Sequence, residues 1–131
     1  MKKKIYQYLA IALIAMAAIT TPVFSYSEVD EDFMTAMEDL NKSLTSNLAL
    51  KDVAASASEA SEMQKMFDEV EAFFLKKADA ADGVKWAQES RDLSALIAKS
   101  VSANDFDAAS QNAVALSKTC KACHKIYKKK D

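Results

Sequence analysis

The 131-residue chain contains one glycine, one proline, one histidine and two cysteines. That scarcity excludes several classes at once. Phosphate loops, dinucleotide fingerprints and tight hairpins all depend on glycine at positive φ, so P-loop, Rossmann and turn-rich all-β architectures lack their raw material. β-Branched residues give way to Ala, Leu, Lys, Glu, Met and Ser, a composition that favours helices over sheets. Charge of one sign is missing too: 17 basic side chains stand against 19 acidic ones, a formal net charge of −2. This balance offers no electrostatic footprint for nucleic acid. At 50% hydrophobic residues the chain is also too apolar for disorder.

Residues 1–25 read as an address. Lys2, Lys3 and Lys4 precede an apolar run from Ile5 to Ile19, and Thr20-Thr21-Pro22-Val23-Phe24-Ser25 follows. A basic start, a short apolar stretch and small residues after a proline are the parts of a secretory signal, with Val23 and Ser25 suited to the −3 and −1 sites. An uncleaved anchor is the rival reading, but about 15 apolar residues fall short of the roughly 20 that span a bilayer. The expectation is cleavage near Ser25 or Ser27, export to the periplasm, and one domain over residues 26–131 without membrane attachment. Three of the 17 basic side chains and none of the 19 acidic ones lie in residues 1–25, which leaves 14 against 19, or −5, for the mature domain.

Beyond Ser27 the apolar spacing is helical throughout. A first helix from Glu28 to Leu50 places Phe33, Met37, Leu40, Leu44 and Leu48 on one face, with Glu28, Asp30, Glu31 and Asp32 favouring the dipole of its first turn. Asp52 caps a second helix with Val53, Ala57, Ala60, Phe67, Val70 and Phe74 inward. Asp79, Asp82 and Gly83 supply the next break. A third helix carries Trp86, Ser90, Leu93 and Ile97. Asn104 or Asp105 caps a fourth, with Phe106, Ala109, Ala113, Leu116, Cys120, Cys123 and Tyr127 inward. Short connections between such helices force antiparallel neighbours, so the expected fold is all-α, an antiparallel up-down-up-down four-helix bundle.

Both cysteines and the only histidine fall within Cys120-Lys121-Ala122-Cys123-His124. This is the C-x-x-C-H spacing of covalent c-type haem attachment. Thiols three residues apart on a helix can each add to one vinyl group of a porphyrin, and the adjacent imidazole then serves as proximal iron ligand. Other uses of the pair are a dithiol redox site, half of a zinc site, or a structural disulfide. The first normally sits beside a βαβ unit, the second needs further ligands, and the third closes too small a loop to stabilise much.

A sixth ligand decides between electron transfer and ligand binding, because a Met–His pair saturates the iron while a vacant position admits small molecules. Met34 and Met37 are the candidates. In the expected bundle Met37 stands about 13 Å from its helix start and His124 about 9 Å from a helix end near Lys130, so the levels match, and Met34 matches equally well. Met37 shares its stripe with Leu40, Leu44 and Leu48, whereas Met34 continues into Glu38, Asn41 and Thr45, which read as solvent-facing. Met37 is therefore the expected ligand, and Met63 and Met66 read as packing residues. Phe67, Phe73, Phe74 and Trp86 fit either the core or the porphyrin face. Lys118, Lys121, Lys125 and the terminal lysines make the end of the fourth helix locally basic. Three roles suit them: a solvated end favoured by the helix dipole, pairing with haem propionates, or docking of an acidic redox partner.

The segment Met37-Glu38-Asp39-Leu40-Asn41-Lys42-Ser43-Leu44 resembles the first-helix motif M-E-x-L-N-x-x-L of the cytochrome b562 family, in which that Met is the distal ligand. Lys118-Thr119-Cys120 through Cys123-His124-Lys125-Ile126-Tyr127 resembles the last helix of the same family, whose His is the proximal ligand. That family holds haem without covalent bonds; Cys120 and Cys123 add the attachment of class II c-type cytochromes, the cytochrome c′ group. The middle helices match neither relative closely. The resemblance implies a periplasmic monohaem cytochrome, an electron carrier rather than an enzyme. It would hold one covalent haem c through Cys120 and Cys123 with His124 and Met37 as axial ligands, dock transiently with redox partner proteins, and be monomeric or homodimeric. A five-coordinate cytochrome c′-type protein binding nitric oxide or carbon monoxide is the alternative, and a haem-free exported bundle with a disulfide is a third.

Overall fold

The computed structural model describes residues 28–128, and the expected signal of residues 1–25 lies outside them. Four helices make up the described chain: α1 (Glu31–Ala49), α2 (Val53–Leu75), α3 (Ala81–Ser102) and α4 (Phe106–Tyr127). Three begin with an aspartate whose carboxylate takes an otherwise orphaned backbone N–H. Phe33 N–H donates to Asp30 at 2.8 Å, Ala55 N–H to Asp52 at 2.9 Å, and Ala108 N–H to Asp105 at 3.0 Å. Each such cap stabilises its helix by about 1 kcal/mol. With Asp30 as the cap, α1 starts three residues later than its acidic run suggests, and Glu28 stands outside the first turn.

Two of the turns share one construction. After α1, Lys51 N–H donates to Leu48 C=O and Asp52 N–H to Asn47 C=O; after α3, Asn104 donates to Val101 and Asp105 to Ser100. These paired bonds close the spent helix in a Schellman motif, and the aspartate that completes each one caps the next helix. The left-handed position falls on Lys51 and Asn104, and on Asp79 in the α2–α3 turn, at φ of 56°, 58° and 58°. No turn uses the chain's single glycine. Gly83 is buried inside α3, and a Cβ there would come within 3 Å of the Phe74 ring on α2. Its role is close helix approach, which corrects the reading of Gly83 and Asp82 as part of the break.

Contacts between helices fix their directions. Gly83, Gln88 and Arg91 on α3 meet Phe74, Glu71 and Asp68 on α2 in turn, so one number rises as the other falls. On α4, Tyr127 lies beside Trp86 and Thr119 beside Ser90, again in opposite order. The helices pack in sequence and α4 returns to α1, giving an antiparallel four-helix bundle. The core is apolar and continuous, from Phe33, Leu44 and Leu48 on α1 through Met63, Phe67, Ile97 and Val101 to Phe106 and Leu116. Val53, expected inward, is exposed, because the tight turn places it at the rim of the bundle. Among the described residues no helix is long and apolar enough to cross a membrane.

The packing on α1 is uneven. Glu59 of α2 accepts from Ser43 Oγ at 2.5 Å and from Asn47 Nδ2 at 3.0 Å, which ties down its C-terminal half. Against α4 the contact is the thinnest in the bundle. Substituting Gly83→Ala should cost about 1–3 kcal/mol, the usual range for overpacking a close contact. Urea unfolding would show it, and Phe74→Leu in the same chain should recover part of the loss.

Candidate functional site

The thin α1–α4 seam opens into a cavity of about 440 Å³, within the range of small-molecule and cofactor sites. Its walls bring together residues far apart in sequence: Met34 and Met37 from α1, Met63 from α2, Trp86 from α3, and Cys120, Cys123 and His124 from α4. The four residues expected to hold the cofactor, Cys120, Cys123, His124 and Met37, all line it. Helix geometry explains the α4 contribution, since positions 120, 123 and 124 fall on one side of a 3.6-residue helix. Cys120 and Cys123 are half-buried free thiols, and His124 stands at the more exposed edge.

On α1, Met37 is buried at 7% exposure and Met34 is half-buried beside it. Both face the cavity, so burial favours Met37 without removing Met34 from the wall. Met63, read as packing alone, is also in the lining, at 1% exposure. Phe67 and Trp86 reach the cavity. Phe73 and Phe74 do not, and Phe74 instead packs its ring 4.7 Å from Tyr127 beneath the cavity.

Asn41 departs most from its sequence reading. Expected to face solvent, it is half-buried in the cavity wall and donates to Ser117 Oγ across the seam at 3.5 Å, while its Oδ1 is buried with no partner among the described residues. The overlooked signal is that Asn41 stands four residues after Met37, on the same stripe. An orphaned buried acceptor is costly unless something entering the cavity meets it. The opposite wall is settled: Thr119 donates to Leu116 C=O at 2.8 Å, its hydroxyl lies 2.7 Å from that of Ser90, and Ser94 donates to Ser90 C=O at 2.8 Å.

The donor set is soft and nitrogenous. Among the described residues no three His, Cys, Asp or Glu side chains converge as a metal site of the chain's own. What meets at the cavity is an imidazole, thioethers and two thiols in an apolar, partly open space, and these fit a planar apolar cofactor carrying its own metal. Haem is one such group: Cys120 and Cys123 could take its attachment, His124 and Met37 could ligate its iron, and the unmet Asn41 Oδ1 lies where a bound group would reach it. Comparison with family models, curated proteins and solved structures gives no match.

Burial disfavours the charged thiolates. Cys120 is raised to about 11, first by desolvation and then by the neighbouring Cys123, and burial also raises Cys123. The unfolded chain therefore gives up its Cys120 proton at lower pH than the folded chain. The stability this contributes is whole below the ordinary thiol range and is lost as pH climbs through about 11. In the thiol form of the protein, urea midpoints should fall progressively above pH 9, and Cys120→Ser should flatten that decline.

Proposed function

We propose that the chain is a monohaem c-type cytochrome that carries electrons. The observation behind the reading is the convergence of Cys120, Cys123 and His124 with Met37 on one apolar cavity. Cys120 and Cys123 would hold the haem by two thioether links, and His124 and Met37 would ligate its iron from α4 and α1. A bound haem would supply a one-electron ferric–ferrous couple. Phe67, Val70 and Met63 keep water from the inner wall, and a dry wall limits the reorganisation that accompanies a change of charge. The chain itself offers no substrate chemistry in this reading, so it is a carrier and not an enzyme. The work would take place in the periplasm after removal of residues 1–25, with transient redox partners, as a monomer or homodimer.

Support for Met37 over Met34 comes from burial. A ligand held at 7% exposure has its rotamer restricted by the core around it, while a half-exposed one must be ordered at the expense of side-chain entropy.

The visible spectrum of the exported protein tests the whole reading. Haem should survive acid extraction, and the reduced form should show a sharp low-spin band indifferent to carbon monoxide. Met37→Ala should convert this to a high-spin spectrum that shifts with the gas, and Cys120→Ser with Cys123→Ser should make the haem extractable. A colourless product from a host that matures c-type haem overturns the proposal. A wild-type protein whose broad reduced band already shifts with carbon monoxide retires Met37 as ligand and makes the function gas binding of the cytochrome c′ kind.

A further inference from the structure

Lys118, Lys121, Lys125 and Lys128 follow one another on α4 at intervals of three, four and three residues. That spacing keeps them within one narrow arc of the helix, extending about 15 Å along its axis. All four are exposed. Among the described residues the ion pairs form at Lys42 and Arg91, and none involves this stripe. Lys121 and Lys128 also stand in the wall of the cavity, so the stripe is its α4 lip. On the facing lip Lys42 meets Glu38 at 3.1 Å and the neighbouring Asp39 at 3.3 Å, so that side keeps one net negative charge against the four lysines.

We propose that this stripe docks an acidic protein partner, bringing the partner's redox centre to the open edge of the cavity. The proposal rests on the redox reading of that cavity and names the chemistry of the partner. Its physical basis is a difference in range. The mature domain carries net −5 by its 14 basic and 19 acidic side chains, so its distant field is negative. At physiological salt, fields decay over about 8 Å, and a surface in contact with α4 meets the lysines before the acids of the far helices. A compact acidic patch can match such a stripe. An anionic bilayer fits poorly, because it presents a broad plane to the whole acidic molecule, and most of the apolar face of α4 is already in the core, with only Val114 and Ile126 of its large apolar residues exposed.

Ferricyanide, a small trianion, tests the local field. It takes one electron from the reduced protein and becomes ferrocyanide, with no bond or proton exchanged. The net charge demands that this rate rise with salt; the stripe demands the reverse. The expected result is a fall of about tenfold between 10 and 150 mM salt, absent or inverted in K118Q/K121Q/K125Q and retained in the control K65Q. The neutral glutamines leave the helix dipole unopposed by acids, and circular dichroism would verify the fold. A rate that rises with salt in the wild-type protein, or that the triple variant leaves unchanged, overturns the proposal.

Binding of fluorescent poly-glutamate, read by anisotropy, needs no haem. It should weaken at least tenfold in the triple variant. If the protein carries no haem, this arm still decides the docking surface while the redox reading fails by itself. Vesicles of phosphatidylglycerol captured through the same lysines, with poly-glutamate ignored, would assign the stripe to a lipid surface and overturn the protein partner.

Discussion

Everything about the candidate site depends on how little of α1 packs on α4. The α2–α3 and α3–α4 interfaces are close, with Gly83 under the Phe74 ring in one and the Ser90–Thr119 hydroxyl pair in the other. At the fourth seam, Ala113 is small beside Thr45 and Leu48, and Ser117 meets Asn41 at hydrogen-bond limit. Further along the seam Met34 and Met37 share a wall with Cys120, Cys123 and His124, and these side chains do not fill the space between the two helix axes. A void of that size forfeits dispersion contacts along its walls, so the bundle is under-packed where Cys120, Cys123 and His124 reach inward. The α2–α3 and α3–α4 seams are close, and α1 is held mainly from α2.

The remaining local choices support that arrangement. Asp30 caps α1 and fixes where its stripe starts, which places Met37 opposite the end of α4. Glu59 holds Ser43 and Asn47, and thus anchors α1 from α2 rather than from α4. The joined Schellman and aspartate caps at Lys51–Asp52 and Asn104–Asp105 make two short turns of three residues each. Left-handed Lys51 and Asn104 cost more than glycine would. The chain's one glycine is spent where no side chain fits.

Much of this was legible beforehand. Helix periods, the Asp52 and Asp105 caps and the inward stripe from Phe33 to Leu48 follow from spacing, because a half-apolar chain with one glycine and one proline has few other ways to bury its surface. The C-x-x-C-H run and Met37 declare themselves by residue type. Less legible were the features that depend on neighbours. Val53 obeys the helical period but sits at a turn, where the period no longer implies a partner. Gly83 looks like a breaker until the Phe74 ring is seen above it. Asn41 lies between two runs, the polar one through Met34, Glu38 and Thr45 and the apolar one through Met37, and only the passage of α4 beside it decides for the second. Met63 likewise needs the third dimension: a methionine in a core and one in a cavity wall have the same sequence context.

The two charge environments of the cavity lie on different sides and act over different ranges. Inside, burial holds Cys120 well above the usual thiol range, so the interior favours neutral groups and excludes ions. Outside, the α4 lip carries lysines without an ion pair among the described residues, while on the α1 lip Lys42 offsets one of the two charges of Glu38 and Asp39. An electron carrier needs both conditions: an interior in which the redox group changes charge with little solvent reorganisation, and an edge that orients a partner without binding it tightly. Exposed lysines on flexible stems suit the second task, since surface ion pairs contribute little affinity yet steer encounter over a Debye length. In the proposed reading, a seam left open between α1 and α4 would serve two purposes, because the space that would take the cofactor also stays open on the lysine side.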